Sequence, residues 1–471
     1  MIQITDIGGD KREFYRPVRL CNTQHALKGQ KLLAQGSALG IMAIGKAPCK
    51  GKSLKIHLIK MEKPLRYVKL LPLQGARFAT HKNPGRCPGL RGSAPSGRAA
   101  CIHNSKRCKG MTDLYFRFIQ FSLGLYEGTE FLDGTELKGF DWGAFYEFAK
   151  EQTLIGVVFE GVQKLPKETA PHLQLLMSWF AFSRKIQQRN EVLDRATVAL
   201  YNKVRDAGYP CCILKGQGNA VMYPNPSART PGDVDIWVNA GREEIRALAH
   251  SLVKNTNGQV EDESFNHIGL TINGVTVELH STPGFMANFV FNRRLQKWLK
   301  RNVDAQCGNM VELVHGDGAV AVPTPSFNCV YQLYHLYHHY FYEGVGLRQV
   351  VDYFFVVRKW NVDCEKLSSL QRELKLLGLW RFAGAMMFVL HQVMGLPEEM
   401  MIASMDAKRG RMLLDDILNG GNFGHYDKRM DLGHNLNRLC RDFRLLRFYP
   451  AEALSEPVFR VWHWCWRKNN L

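Results

Sequence analysis

Cysteines at metal-binding spacing are missing from this chain. It has 12 Cys in 471 residues, yet no C-x-x-C pair. Cys211 and Cys212 are adjacent, which suits neither a routine disulfide nor a zinc site, so reduced thiols and a cytoplasmic location are expected. Long apolar runs are missing too. The longest, Phe382 to Leu390, falls well short of the roughly 20 residues that a bilayer-spanning helix needs. Met1-Ile2-Gln3-Ile4-Thr5-Asp6 has neither the basic nor the apolar region of a signal peptide. These absences predict a soluble protein without a membrane partner.

Acidic residues are scarce over positions 1–110, where 22 Lys+Arg meet only Asp6, Asp10, Glu13 and Glu62. The remainder is nearly balanced, with 40 basic and 39 acidic residues, so the formal charge of +19 belongs to one end of the chain. Binding to long nucleic acid rests on many Lys/Arg contacts with phosphates. Residues 111–471 do not have that excess, and long nucleic acid is not the partner expected of them. The first 110 positions also have few aromatics (Phe14, Tyr15, Tyr67 and Phe78), too few for a base-stacking platform. From Pro84 to Gly97, seven of 14 residues are Pro or Gly, which excludes a packed element. Residues 1–110 read as a disordered or spuriously translated extension with Met111 as a candidate start. A basic arm that binds nucleic acid or an anionic surface is the alternative.

Past that extension the patterning is clear. Residues 111–208 read as a helical region. Asp141 caps a helix with Trp142, Phe145, Phe148 and Ala149 on one face. A longer helix is expected from about Pro171 to Ala207, with Leu173, Leu176, Trp179, Phe180, Ile186, Leu193 and Leu200 as core, and Gly208-Tyr209-Pro210 ends it. Residues 209–285 alternate strand and helix. A buried strand Cys211–Leu214 precedes a loop, an acidic strand spans 233–238 and a helix Arg242–Lys254 follows. Two strands then meet at Asn273-Gly274, a strong hairpin signal. Residues 286–471 read as helical to the end.

The chemistry lies in the middle region. Asp233 and Asp235, within Arg229-Thr230-Pro231-Gly232-Asp233-Val234-Asp235-Ile236-Trp237-Val238, point to one face of a strand. Two like charges on a half-buried strand require a cation between them, and oxygen ligands suit a divalent metal. In the hairpin, Val275, Val277 and Leu279 face one side while Thr276, Glu278 and His280 face the other. If that strand lies beside the acidic one, three carboxylates converge. Such a triad suits two Mg²⁺ ions clamping the attacking and leaving oxygens of a phosphoryl or nucleotidyl displacement. Taken alone, Glu278 also fits a solvated strand face.

Leu214-Lys215-Gly216, the Pro-bearing loop, Arg229, Gly232-Asp233-Val234-Asp235 and Val277-Glu278-Leu279-His280 together resemble the uncharacterised nucleotidyltransferase family of the polymerase-β-like superfold. The likeness runs from about Asp141 to Asp352 and includes Gly346-Leu347-Arg348-Gln349-Val350-Val351-Asp352. It departs at Gly216-Gln217, where the superfold usually has Gly-Ser or Gly-Gly. The resemblance implies an α+β fold, with a small mixed sheet in the nucleotidyltransferase core and helical regions on both sides. It further implies Mg²⁺-dependent transfer of NMP from an NTP, such as ATP, to a hydroxyl, releasing pyrophosphate. A small-molecule or protein acceptor is favoured. A non-catalytic nucleotide-binding module on the same fold is the alternative.

Asp233, Asp235 and Glu278 would then be metal ligands, Glu278 doubling as a possible general base. Lys215, Gly216 and Gly218 would cradle the β/γ-phosphates, though Lys215 also fits a surface lysine. Arg229 would reach a phosphate or form a salt bridge to Asp233. His280 would orient Glu278 or a phosphate, or be structural. His335 and His339 stand at zinc-capable spacing but lack a third ligand, so an aromatic, His-rich helix lining the cleft is expected. Arg348 and Asp352 read as an intrahelical ion pair or as nucleotide contacts. Trp462, Trp464 and Trp466 read as packing or an edge segment.

Overall fold

The computed structural model describes residues 104–125, 137–360, 364–427 and 434–470, with two short strands nearer the N-terminus. The chain divides into two compact units, Met1–Pro95 and Ser96–Leu471. In the first, β1 (Lys55–Leu58) pairs antiparallel with β2 (Arg66–Lys69), although no strand pattern was legible there. The other expectations for residues 1–103 lie outside the described residues.

The second unit opens with helices. α1 (Asn104–Ser122) runs through Met111, so helix begins upstream of the expected boundary. α2 (Trp142–Glu151) is capped as its sequence predicts, Asp141 Oδ1 accepting from the Ala144 N–H at 2.9 Å. α3 (Ile155–Val162), not anticipated, is almost wholly buried. α4 (Leu173–Asp206) turns the row Trp179, Ser183, Ile186, Asn190, Leu193 and Thr197 inward at helical spacing. Leu173 and Phe180, expected in the core, lie one position round from that row and are 68% and 39% exposed.

The sheet has five strands in the order β3-β4-β7-β6-β5. β3 (Cys211–Leu214) leads into a single helical turn, α5 (Gly216–Ala220). β4 (Val234–Val238) is fully buried, and α6 (Arg242–Val253) follows it. β5 (Gln259–Glu263), β6 (His267–Ile272) and β7 (Val275–His280) complete the sheet. β6 and β7 meet at Asn273 (φ +51°) and Gly274 (φ +77°), two consecutive positive φ angles as a type I′ hairpin turn requires. β5 is an unexpected third strand at the edge. Its Gln-Val-Glu-Asp-Glu sequence has no apolar alternation, and Arg242 and Arg246 each hold Glu263 at 2.6 Å.

β3 pairs antiparallel with β4, and β4 pairs parallel with β7. One face of this sheet sets Ile213, Ile236, Val277 and Leu279 in a core with Leu193 and Val204 of α4 and Leu248 of α6. Leu214 and Trp237, facing the other way, join the larger helical core.

Beyond Pro283 the expectation of helix throughout needs correction. Between α7 (Phe289–Cys307) and α8 (Pro325–Tyr342) a small hairpin intervenes, β8 (Met310–Glu312) with β9 (Ala319–Ala321). Its strands are three residues long, too short for periodicity to register. The chain continues with α9 (Leu347–Lys359), α10 (Cys364–Leu376), α11 (Trp380–Met394), α12 (Ala407–Gly420), α13 (His434–Leu446) and α14 (Pro450–Asn470). The tryptophan tract is helical: Trp462 and Trp466, one turn apart, pack edge-on against Phe265 while Trp464 is 58% exposed. The architecture is thus α+β, mostly helical with a small mixed sheet. Among the described residues no helix is long and apolar enough to cross a membrane.

Candidate active site

Strand register brings the acids together. In the parallel β4–β7 pair, Asp235 sits opposite Glu278 and Trp237 opposite His280. Asp233 immediately precedes β4. Ligand oxygens of Asp233, Asp235 and Glu278 all lie within 4.8 Å of one another. Convergence requires the two strands to be neighbours, and they are.

On the other side of β4, Leu214 is opposite Asp235, so the next residue, Lys215, arrives at the carboxylate. Lys215 adopts φ +48°, a left-handed conformation that β-carbon residues seldom take. Its ammonium meets Asp235 Oδ1 at 2.9 Å, with 18% of the side chain exposed. It is therefore a half-buried ion-pair partner and not a surface lysine. His280 Nε2 lies 2.9 Å from the same oxygen and 3.2 Å from Glu278 Oε2. Both partners are acceptors, so Nε2 carries the proton. His267, opposite His280 across the β6–β7 ladder, was not singled out in the sequence, and its Nε2 stands 3.7 Å from Glu278 Oε1.

These contacts split the acidic pair. Burial alone would raise the Asp235 pKa, but the Lys215 charge and the His280 hydrogen bond outweigh it and hold the carboxyl well below the usual range. Asp233 has no such partner. Repulsion from Asp235, aided by burial, pushes it up to about 6. Burial also opposes ionisation of Glu278, and the His280 hydrogen bond more than offsets that, lowering its pKa. For His280, burial is overcome by hydrogen bonds to Asp235 and Glu278, and its pKa rises to about 9. Burial, then the nearby His280 charge, lowers His267.

The acids face a cavity of about 320 Å³ lined also by Gly216, Arg229, Phe285, Gln332, Tyr334 and Arg348. His335, His338 and His339 of α8 also line it, as expected of a His-rich helix along the cleft. His339 Nδ1 is 2.8 Å from Glu343 Oε2, and His339 Nε2 is 2.9 Å from His335 Nε2. The carboxylate can only accept, so His339 Nδ1 carries the proton of that contact.

Three other candidates fall differently from the sequence reading. Arg229 does not pair with Asp233. It is clamped to Asp352 of α9, Nε to Oδ1 and Nη2 to Oδ2, both at 2.7 Å. The Tyr223 hydroxyl donates to Asp352 Oδ1 at 2.6 Å. With Asp352 taken, Arg348 forms no intrahelical pair with it, and Arg348 Nη1 donates to Thr230 O at 3.1 Å. Gly218 lies away from the cavity; a β-carbon there would meet Val322 Cγ1 at 3.1 Å. Gly216, in contrast, lines the cavity and takes φ +40° beside Asp233 O. The atypical Gln217 is buried and donates from Nε2 to Asp194 and Asn190 of α4, so the turn is anchored from behind. Tyr223 and Asp352 are the residues that local sequence reasoning missed as a clamp. Their only trace was the Arg348-x-x-x-Asp352 spacing.

An oxygen-rich group with one carboxylate left unpaired is the donor set that a hard divalent cation takes. Among curated proteins none matches the chain. A likeness is found to the crystal structure of an antigenic nucleotidyltransferase-like protein from Paracoccidioides brasiliensis, at 14% identity and a TM-score of 0.29 over 49% of this chain and 98% of that one. The family model described as uncharacterised nucleotidyltransferase matches residues 138–395, more than half of the sequence and the whole carboxylate cluster, and the chain belongs to that family.

Proposed function

We propose that this protein is a cytoplasmic nucleotidyltransferase of the polymerase-β-like kind, which transfers NMP from an NTP to a hydroxyl acceptor and releases pyrophosphate. The observation that carries this reading is the convergence of Asp233, Asp235 and Glu278 within 4.8 Å at one wall of the cavity. The acceptor hydroxyl releases its proton to solvent as its oxygen forms a bond to the α-phosphorus, the bond from that phosphorus to the α–β bridging oxygen breaks, and the bridging oxygen leaves with pyrophosphate. Mg²⁺ held by the three carboxylates would offset charge on the phosphates and polarise the acceptor hydroxyl. Lys215 and His280 keep Asp235 and Glu278 ionised and fixed in place. Glu278, with its lowered pKa, suits a ligand better than a base, because an efficient base titrates near the working pH. A cavity of this size, in a region with balanced charge, favours a compact acceptor such as a small molecule or one protein side chain.

The test is pyrophosphate release from a panel of NTPs with Mg²⁺ and candidate acceptors. Release should occur with wild type and vanish in Asp233→Asn. That variant should keep its melting temperature, because it removes a carboxylate that its neighbour repels. Binding of NTP with no release under any condition would leave a non-catalytic nucleotide-binding module.

A further inference from the structure

We propose that Arg348 is the anion anchor of this cavity, binding the β- and γ-phosphates of the triphosphate beside the carboxylate cluster. The anchor presupposes nucleotide binding at this site and supplies the phosphate grip that Lys215 and Arg229 are not placed to give.

The cations around the cavity differ in what they face. Lys215 is paired with Asp235 at 2.9 Å, and His280 lies between Asp235 and Glu278. Arg229 is held by two hydrogen bonds at 2.7 Å to Asp352. Arg348 stands apart from these. Its natural partner one turn along α9 is Asp352, and that carboxylate already accepts from Arg229 twice and from Tyr223 once. No carboxylate of the described residues is in ion-pair contact with the Arg348 guanidinium. It has a backbone carbonyl at 3.1 Å, the Phe423 ring at 5.9 Å, and a buried Nε with no partner.

A guanidinium has five N–H donors, and removing them from water without an anion is costly. This one lines the same cavity as Asp233. The carbonyl it grips belongs to Thr230, on the segment that leads into the acidic strand. A planar fork of donors matches phosphate oxygens in a bidentate fashion. Pyrophosphate oxygens drawn to a cation-loaded carboxylate cluster would have this fork beside them. The Arg229–Asp352–Tyr223 clamp thus denies Arg348 an internal partner and leaves it for the ligand.

Calorimetric titration of the full chain with pyrophosphate in Mg²⁺ buffer tests this, comparing wild type with Arg348→Met and Arg348→Lys. Losing a charge-assisted hydrogen bond is expected to weaken pyrophosphate about 10- to 100-fold in Arg348→Met. Arg348→Lys should recover part of that. A parallel titration with Mn²⁺ alone should show affinity unchanged or tighter, because a neighbouring positive charge has gone. A merely structural role would weaken both ligands together and would overturn the anchor. So would equal pyrophosphate affinity in wild type and Arg348→Met, or no pyrophosphate binding by wild type. If orthophosphate affinity falls and pyrophosphate affinity does not, the anchor serves a phosphorylated acceptor and the triphosphate assignment is wrong. Pyrophosphate binding that depends on Arg348, with no NTP turnover, would support the anchor while sinking the catalytic reading alone.

Discussion

Breaking the buried clamp should separate structural from catalytic electrostatics. Arg229 and Asp352 are 4% and 6% exposed, and two hydrogen bonds at 2.7 Å join them. Removing one partner of such a pair strands a charge in the interior and costs about 3–5 kcal/mol, whereas replacing both with apolar side chains is often close to neutral. Asp352→Asn should therefore lose about 3 kcal/mol, near the lower bound because the amide oxygen still accepts one hydrogen bond. Arg229→Met should lose less, since Arg348 stands one turn away on α9 and can take the freed carboxylate at i, i+4 spacing. The double variant Arg229→Met/Asp352→Leu should recover most of the loss and retain about 1 kcal/mol of deficit from the stranded Tyr223 hydroxyl. Adding Tyr223→Phe should remove that remainder. Urea unfolding followed by circular dichroism gives each value. The reasoning fails if Asp352→Asn lies within about 1 kcal/mol of wild type, or if the double variant is as unstable as that single one.

Two further outcomes follow from the cavity. Asp233 has its pKa raised to about 6, above the ordinary aspartate value of ~3.9. In metal-free protein its contribution to stability is thus present below that ordinary value and lost as pH rises through about 6. Metal ligation needs the ionised form, so Mn²⁺ affinity should be full above about pH 7 and fall up to about tenfold per unit below pH 6, with proton uptake on metal release. Calorimetry in buffers of different ionisation enthalpy reads both effects, and affinity that stays flat across this range would refute the assignment. Gly284→Ala would place a β-carbon 2.1 Å from the Tyr334 hydroxyl, which donates to Phe285 O at 2.8 Å on the cavity wall. The clash should cost about 1–3 kcal/mol in urea unfolding, and a neutral result would show that Tyr334 moves freely.

How much of this was legible depended on the range of the interactions. The Asn273-Gly274 turn, the alternation that puts Glu278 on the polar face, and the Asp141 cap are decided within a few residues, and each stands as its sequence predicts. The carboxylate cluster was legible as soon as β7 was allowed beside β4, because parallel register then leaves Asp235 opposite Glu278. The clamp was not. Arg229 and Asp352 are 123 positions apart, and the local rule favoured the closer Arg348. That rule lost because a residue on another element reached Asp352 with ideal bidentate geometry while Tyr223 filled the remaining acceptor site. β5 and the β8–β9 hairpin escaped for another reason. β5 is a polar edge strand, and β8 and β9, although Val320 and Ala321 are buried in the core, are too short to leave a periodic trace.

The two aspartates that identify the site are chemically unequal, and the inequality has a cause in the fold. Asp235 lies within β4 and is approached from β3 by Lys215 and from β7 by His280, so it is ionised at any physiological pH. Asp233, one residue before the strand, makes an ion pair with neither cation, and repulsion from Asp235 together with burial outweighs the attraction of Lys215. Opposed environments for neighbouring carboxylates are how a fold assigns them different tasks. Asp235 is then a fixed ligand whose geometry does not depend on loading. Asp233 is the group that exchanges a proton for the cation, so it sets the pH at which the site fills. Exchanging the two environments, not deleting either acid, is the informative perturbation. Lys215→Met should raise the Asp235 pKa and make metal affinity pH-dependent at two carboxylates, steepening its fall below about pH 6 toward two protons per cation. A one-proton slope retained in that variant would show that Lys215 does not protect Asp235.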